Sequence, residues 1–139
     1  VQILATDISA STVATAERGQ YSEHDLGRTL RPAAMSRWFE SRPGGAVVKP
    51  AVRRLVTFRQ RNLVDDFHGL GPFDVVFLRN VLIYFDATTR QQIVDRMARV
   101  LLPHGWLFLG ASENLVSAGF QEETHCRAVV YRPRATARV

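Results

Sequence analysis

Cysteine is nearly absent from this sequence, in which Cys126 is the single thiol among 139 residues. One cysteine excludes an internal disulfide and any metal site built from several thiolates. We expect Cys126 to be a small filler residue on a strand, and the scarcity of thiols agrees with a reducing, cytoplasmic setting.

Long apolar runs and a basic leader are also lacking. No apolar stretch reaches the ~18–20 residues that a membrane span requires. The opening residues, VQILATDIS, contain no basic side chain and soon turn polar, unlike a secretory signal peptide. We therefore expect a cytoplasmic protein that is not inserted in a membrane.

Acidic residues are the minority among the charged ones, 13 against 18 basic residues, which gives a net charge of +5. A basic balance favours acidic partners. Aromatic residues do not interleave with the densest basic segment, residues 53–61, as they would in an RNA-stacking sheet. We therefore predict an acidic protein partner and no nucleic acid. The histidines are far apart in sequence and predict no metal site. They are His24, His68, His104 and His125.

The beginning of the chain and residues 73–78 contain strand-like runs. Residues 2–8 (QILATDI) predict a buried strand, and a helix capped by Ser9 or Ser11 follows it and ends at Gly19. Residues 73–78 (FDVVFL) form the nearly continuous apolar run that is typical of a buried parallel strand.

The second half continues this alternation. A helix is predicted after Asp86 and should end at residues 103–105, before a strand at 106–109. A short helix at 113–118 and an antiparallel hairpin at 120–131 should close the chain. Strands that alternate with helices predict an α/β fold, with a largely parallel sheet and helices on its faces.

The middle of the chain is less regular. The pattern at residues 21–31 is irregular, a short helix is predicted after Pro32, and residues 41–45 predict a turn. Strand-like stretches flank Pro50. We interpret residues at about 40–58 as a small β subdomain inserted into one catalytic domain that spans residues 1–139.

Polar residues follow three of the predicted strands. Asp7 ends the first strand, Asn62 follows a strand predicted at 55–61, and Arg79 follows the apolar run at 73–78. The carboxyl ends of parallel strands meet at one edge of the sheet, where ligands of such folds bind. The alternative is that these residues only cap a turn or a helix.

Residues 71–86, GPFDVVFLRNVLIYFD, resemble the most distinctive motif of the CheR family of chemotaxis methyltransferases, in which a G-P-F-D strand runs into R-N-V-x-I-Y-F-D. Further segments follow the family pattern in the family order. They are ATDIS at 5–9, RWF at 37–39, VKPAVRRLVTF at 48–58, NLVDD at 62–66 and LLPHGWLFLGASENL at 101–115. The resemblance covers nearly all of the chain and implies a Rossmann-like, S-adenosylmethionine-dependent methyltransferase fold.

The resemblance implies a role for individual residues in binding S-adenosylmethionine, or its product S-adenosylhomocysteine. Asp7 would bind the ribose, while Asn62 and Leu63 would contact adenine. Leu78, which replaces the usual cysteine and is read through its backbone, and Arg79 would line the methionine side.

Tyr84 would be the catalytic residue, beside the transferable methyl group. The alternative for Tyr84 is an aromatic side chain that packs at a strand–helix junction. Asn80 is left out of the ligand set because it can instead hold the local turn. The family's G-H-S-E is Gly110-Ala111-Ser112-Glu113 here, so any role of that histidine is missing.

The family begins its catalytic domain with a strand and loop that this sequence lacks. We therefore expect a truncated domain without its first strand. Exposed sheet edges would then favour rearrangement or a homodimer. We expect the fragment itself to be weak or inactive.

Three functions remain open at this point. The first is a protein-glutamate O-methyltransferase that acts on the cytoplasmic helices of chemoreceptors, with the small β subdomain docking on the receptor. The second is a catalytically degenerate CheR-like module that binds a signalling protein. The third, a small-molecule or nucleic-acid methyltransferase, depends on sheet type and basic charge alone.

Overall fold

A computed structural model describes residues 1–27, 30–115, 117, 119–125 and 128–134 of the chain. The chain divides into two compact units, Val1–Asn62 and Leu63–Val139, called the first and second unit below. The interpretation of residues 1–139 as one domain stays a prediction. Cys126, predicted to be a strand filler, lies outside the described residues.

The first unit contains five strands and four helices among its described residues. In chain order they are β1 (Ile3–Asp7), α1 (Ala10–Arg18), β2 (Gln20–Ser22), α2 (Glu23–Gly27), α3 (Pro32–Trp38), β3 (Phe39–Arg42), β4 (Gly45–Val48), α4 (Pro50–Arg53) and β5 (Val56–Gln60).

Strands β1 and β5 form a parallel pair, in register from Ile3 opposite Val56 to Asp7 opposite Gln60. Helix α1 follows β1 as the sequence predicts. Its N-cap is Ser9, and it ends at Gly19, whose positive φ of 63° suits a residue without a Cβ.

Strands β2, β4 and β3 form a separate antiparallel sheet in that order. The predicted boundaries of the β subdomain, 40–58, are therefore wrong at both ends. Strand β2 begins at Gln20, whereas residues 56–58 belong to β5. The stretch around Pro50 is partly helical, because proline suits the first helical turn, where its missing N–H costs nothing.

The second unit contains four strands, one α-helix and a short 3-10 helix among its described residues. They are β6 (Phe73–Leu78), the 3-10 helix (Leu82–Tyr84), α5 (Ala87–Val100), β7 (Leu101–Leu109), β8 (Phe120–His125) and β9 (Ala128–Pro133). The sheet order is β6-β7-β9-β8; β6 and β7 are parallel, and the other two pairs are antiparallel.

Helix α5 supplies much of the core of the second unit. Asp86 caps the helix with hydrogen bonds from the N–H groups of Thr88 and Thr89, as the sequence predicts. Ile93 and Val94, both 0% exposed, pack in one cluster with Leu107 of β7.

Three predictions for the second unit are wrong. Helix α5 ends at Val100, before the predicted end at residues 103–105. Strand β7 begins at Leu101 and therefore contains Pro103. Pro103 lies where the pairing of β7 with β6 shifts register, between Phe73 and Val75 of β6. Residues 113–115 are not helical, and 116 and 118 lie outside the described residues.

The third wrong prediction concerns β6, which is parallel to β7 but not fully buried. Val75 is 42% exposed and Phe77 is 71% exposed, with the Phe77 ring stacked on Phe108 at 5.0 Å between centroids. The apolar run predicted burial on both faces. Leu78, Val76 and Phe73 of this strand pack in the core of the second unit, whereas Val75 and Phe77 are exposed.

No helix among the residues described is long and apolar enough to cross a membrane.

Candidate functional site

The carboxyl end of β1 presents a carboxylate that is only partly used by its surroundings. Asp7 Oδ1 accepts a hydrogen bond from the Ser9 backbone N–H at 2.8 Å, and the side chain is half-buried. The described residues supply no hydrogen-bond donor to Oδ2 of Asp7. The second oxygen therefore keeps its capacity to accept hydrogen bonds from a ligand.

The carboxyl end of β5 lies beside the end of β1. The Arg61 N–H donates to the Asp7 carbonyl oxygen at 2.9 Å, and the Gln60 side-chain amide donates to the Ile8 carbonyl oxygen at 3.0 Å. Asn62, which is half-buried, is the next residue along this strand end. The first unit therefore brings Asp7 and Asn62 to one edge of the parallel pair, as the sequence predicts.

Leu63 and Leu78 are predicted site residues whose side chains belong to the hydrophobic core of the second unit. Leu78 is 5% exposed, and Leu63 packs against the same cluster. The Leu63 carbonyl oxygen accepts a hydrogen bond from Arg96 Nη1 at 3.5 Å. A ligand could therefore reach these two positions mainly through their backbone atoms.

Arg79 and Tyr84 are the exposed candidates of the second unit. Arg79 follows the last residue of β6 and makes no ion pair with any of the residues that the structure describes. Tyr84, the last residue of the 3-10 helix, is 79% exposed. Both side chains are accessible to a charged or polar ligand.

The turn between Arg79 and Tyr84 is held by a carboxylate from another part of the chain. Glu113, 8% exposed, accepts four backbone hydrogen bonds. Its Oε2 accepts from the N–H of Asn80 at 2.6 Å and of Gly110 at 2.8 Å. Its Oε1 accepts from Val81 at 3.0 Å and from Leu82 at 2.8 Å.

These hydrogen bonds determine the charge state of Glu113. Burial favours the neutral acid and raises the pKa of Glu113, but the four backbone donors outweigh it, so the pKa lies below the ordinary value of 4.5. The side chain is therefore an anion at neutral pH.

Gly110 and Asn80 have backbone positions that fit this arrangement. A Cβ on Gly110 would lie 2.2 Å from Asn80 Oδ1 and 2.7 Å from Glu113 Oε2. Asn80 has a φ of 57°, in the left-handed region that asparagine tolerates better than most residues. The backbone of Asn80 therefore takes the left-handed conformation of the local turn.

Sequence reasoning missed Glu113. Its segment Gly110-Ala111-Ser112-Glu113 is part of the family resemblance, but the residue was assigned to a helix and given no role. The available signal was an acidic residue four positions beyond a strand end and three positions beyond a glycine.

Two surface grooves of the first unit do not involve the predicted ligand residues. A groove of about 430 Å³ lies between α1, the antiparallel sheet, α4 and β5, and its lining is mostly apolar. Asp7 and Asn62 are absent from that lining. No cluster of three or more potential metal ligands occurs among the described residues.

The residues present fit an S-adenosylmethionine-type ligand at the level of donor and acceptor chemistry. A strand-end carboxylate with an unused acceptor, as in Asp7, suits ribose hydroxyl groups. The accessible guanidinium of Arg79 suits a carboxylate such as that of the methionine part.

Comparison with known proteins extends these observations. Residues 1–130 match the family described as CheR methyltransferase, SAM binding domain. "Chemotaxis protein methyltransferase 1" of Pseudomonas aeruginosa is 49% identical over 116 residues, and "Chemotaxis protein methyltransferase" of Vibrio parahaemolyticus is 46% identical over 116 residues. Each alignment covers 83% of this chain but 42% of the relative, so the chain spans less than half the length of these relatives.

A solved structure supports the fold alone. The "DhpI-SAM-HEP complex" shares 14% identity, with a TM-score of 0.50 over 96% of this chain and 52% of that one. The predicted α/β class and Rossmann-like methyltransferase fold are confirmed, and the family's own description supplies the cofactor, S-adenosylmethionine. The chain belongs to the CheR methyltransferase SAM-binding domain family.

Proposed function

We propose that this chain is the cofactor-binding part of a protein-glutamate O-methyltransferase that modifies bacterial chemoreceptors in the cytoplasm. Family membership and the names of the relatives support methylation in chemotaxis. The glutamate substrate, the receptor and the residue roles below are part of the proposal.

The observation that carries the proposal is the accessible pair Arg79 and Tyr84 after the carboxyl end of β6. Ligands of α/β folds bind at such strand ends. Glu113 accepts hydrogen bonds from the backbone of the turn between Arg79 and Tyr84, whereas the side chains of these two residues are exposed.

The proposed contacts follow the family motif. Asp7 binds the ribose hydroxyls, and Asn62 and Leu63 contact adenine. Leu78, through its backbone, and Arg79 contact the methionine part.

The chemistry requires few protein groups. S-adenosylmethionine, when bound, supplies an electrophilic methyl group on a positively charged sulfur. A receptor glutamate, with an ordinary pKa of ~4.3, is already ionised at neutral pH, so no side chain has to remove a proton. Tyr84 orients that carboxylate for in-line attack, and positioning of this kind supplies a large part of the rate.

The basic balance of the chain supports an acidic protein as the substrate. The net charge of +5 attracts carboxylate-rich surfaces and speeds their encounter with the protein. We propose that the antiparallel sheet of β2, β3 and β4 docks on the receptor.

A CheR-like module that binds a signalling protein but does not transfer methyl groups is the second candidate. Its favouring observation is Ala111, which stands where the family's G-H-S-E motif has a histidine. Such a module would bind no S-adenosylhomocysteine.

The test uses the protein as its gene encodes it, because the chain spans 42% of the length of its relatives. Calorimetry with S-adenosylhomocysteine measures cofactor binding, and transfer of a radiolabelled methyl group to chemoreceptor glutamates measures activity. Asp7→Ala and Arg79→Ala should each weaken binding of S-adenosylhomocysteine. Binding without transfer to any receptor would contradict the proposed substrate, and absence of binding would favour the second candidate.

Tyr84→Phe tests the proposed catalytic residue. We expect turnover to fall roughly tenfold to 100-fold, because a positioning hydroxyl is lost, with little change in cofactor affinity. Glu122→Gln, at an exposed position of β8 in the second unit, is the control and should leave turnover unchanged. Unchanged turnover in Tyr84→Phe would remove Tyr84 from the mechanism.

A further inference from the structure

We propose that Glu113 is a positioning residue, whose buried carboxylate fixes the turn after β6 and thereby the placement of Tyr84. The inference rests on the proposed function, in which Tyr84 orients the substrate. It adds a residue that acts at a distance from the reacting atoms.

Glu113 itself has no capacity left for substrate. A carboxylate offers about four acceptor sites, and Glu113 uses them for four backbone N–H groups, two on each oxygen. The side chain is 8% exposed. It is therefore unsuited to remove a proton or bind the cofactor, and its influence has to pass through the backbone that it holds.

The held backbone leads directly to Tyr84. Three consecutive N–H groups, from Asn80 to Leu82, point at one carboxylate, which is the arrangement that backbone anion nests use. The Tyr84 N–H then donates to the Val81 carbonyl oxygen at 3.2 Å. The backbone fixed by Glu113 thus leads into the 3-10 helix that ends at Tyr84 and includes its first residue, Leu82.

Tyr84 depends on this backbone because its ring is mostly in solvent. The side chain is 79% exposed, and none of its hydrogen bonds to the described residues involves the ring hydroxyl. Leu82, 2% exposed, anchors the same turn from the core side. Orientation of Tyr84 therefore follows from the path of residues 80–84.

The turn also needs a negative charge rather than only a polar side chain. Hydrogen bonds to an ionised acceptor are roughly twice as strong as neutral ones. In Glu113→Gln, the amide NH₂ would face two backbone N–H groups, because either oxygen that it replaces accepts two donors. The substitution keeps the shape of the side chain and removes two of the four backbone hydrogen bonds.

Glu113→Gln, in the protein as its gene encodes it, is the principal test. We expect kcat to fall roughly tenfold to 100-fold while the affinity for S-adenosylhomocysteine changes less than about threefold, since small misplacements of a positioning group cost rate. Hydrogen exchange should show lost protection at residues 80–82. Glu122→Gln, at an exposed strand position of the same unit, is the matched control and should change neither quantity.

A double-mutant cycle separates positioning from general support of the fold. If Glu113 acts through Tyr84, Glu113→Gln should lower kcat much less in the Tyr84→Phe background than in the wild type. Equal effects in both backgrounds would overturn the inference, as would full kcat in a Glu113→Gln protein that has lost protection at residues 80–82.

A second variant keeps the test decisive if Glu113→Gln does not fold. Glu113→Asp retains the anion but shortens its reach, so we expect a folded protein with lower kcat and partial loss of protection. Wild-type kcat together with lost protection would overturn the inference. Hydrogen exchange needs no receptor, so an inactive wild type would contradict the proposed function while protection at residues 80–82 still reports on Glu113.

Discussion

The two units of the chain bury their apolar residues to very different extents. Among the described residues, all fully buried apolar side chains except Leu26 and Ala46 lie in the second unit. There, helix α5 packs its apolar stripe on the four-stranded sheet. The first unit instead divides its strands between a parallel pair and an antiparallel sheet, and most of their apolar side chains are half-buried.

The two candidate strand ends differ in the same way. Asp7 is held by Ser9, two residues further along the chain. The turn after β6 is held by Glu113, more than 30 residues away in sequence. The carboxylate of Asp7 is therefore oriented by a local hydrogen bond, whereas the placement of Tyr84 depends on the folded second unit.

The largest effect should come from truncating matched leucines in the two units. Leu107 is 0% exposed and central to the core of the second unit, so Leu107→Ala should lower the free energy of unfolding by roughly 3–5 kcal/mol. Leu4 of β1 is half-buried, and Leu4→Ala should cost about 1–2 kcal/mol. Urea unfolding measures both. Equal costs would show that the two units are packed to the same extent.

A smaller effect is expected at the support of the turn. Gly110→Ala forces a Cβ to within 2.2 Å of Asn80 Oδ1, so neighbouring groups have to move, at a cost of about 1–3 kcal/mol. At Gly119 the nearest atom to an added Cβ is at 3.6 Å, so Gly119→Ala serves as the matched control and should be close to neutral. Thermal unfolding distinguishes the two variants. A neutral Gly110→Ala would mean that the turn yields easily.

The smallest effect concerns pH and the carboxyl groups of the second unit, where Asp86, Glu113 and Glu123 each have a lowered pKa. A pKa that is lower in the folded state gives stability above the unfolded value of 4.5, and that stability is lost as the pH falls through the folded value. As the pH falls from about 5 to about 2, the free energy of unfolding should therefore decrease less for Glu113→Gln than for the wild type. Unfolding free energies measured across this range test it, and parallel pH curves would contradict the contribution of Glu113.

Elements with local start and stop signals could be predicted from the sequence. Ser9 and Gly19 define α1, and Asp86 defines the start of α5, because caps satisfy backbone groups within a few residues. The stretch at Pro50 was misassigned because proline suits a strand edge and a first helical turn equally. The end of α5 was misplaced because Leu101 passes directly from helix to strand.

The same distinction applies to the candidate site. The proximity of Asp7 and Asn62 follows from the rule that parallel strands share a carboxyl edge, so the sequence was sufficient to predict it. The role of Glu113 could not be predicted, because it depends on which backbone N–H groups the folded second unit brings to that carboxylate. The exposure of Phe77 could not be predicted either, because an apolar run does not indicate which face of the strand packs against other elements.

The antiparallel sheet of the first unit has a consequence for how the chain folds. Parallel pairing of β1 with β5 joins Ile3 to Val56, and such distant contacts require a long loop to close before they contribute. The hairpin of β3 and β4 closes over the short turn at Pro43 and Gly44 and can form within about 1–10 μs. Once β2 joins it, Val48 is hydrogen-bonded to Gly19, and only α1 and α4 separate the closed sheet from the two parallel strands. The antiparallel sheet thereby replaces the slow closure of one long loop by the closure of several short loops.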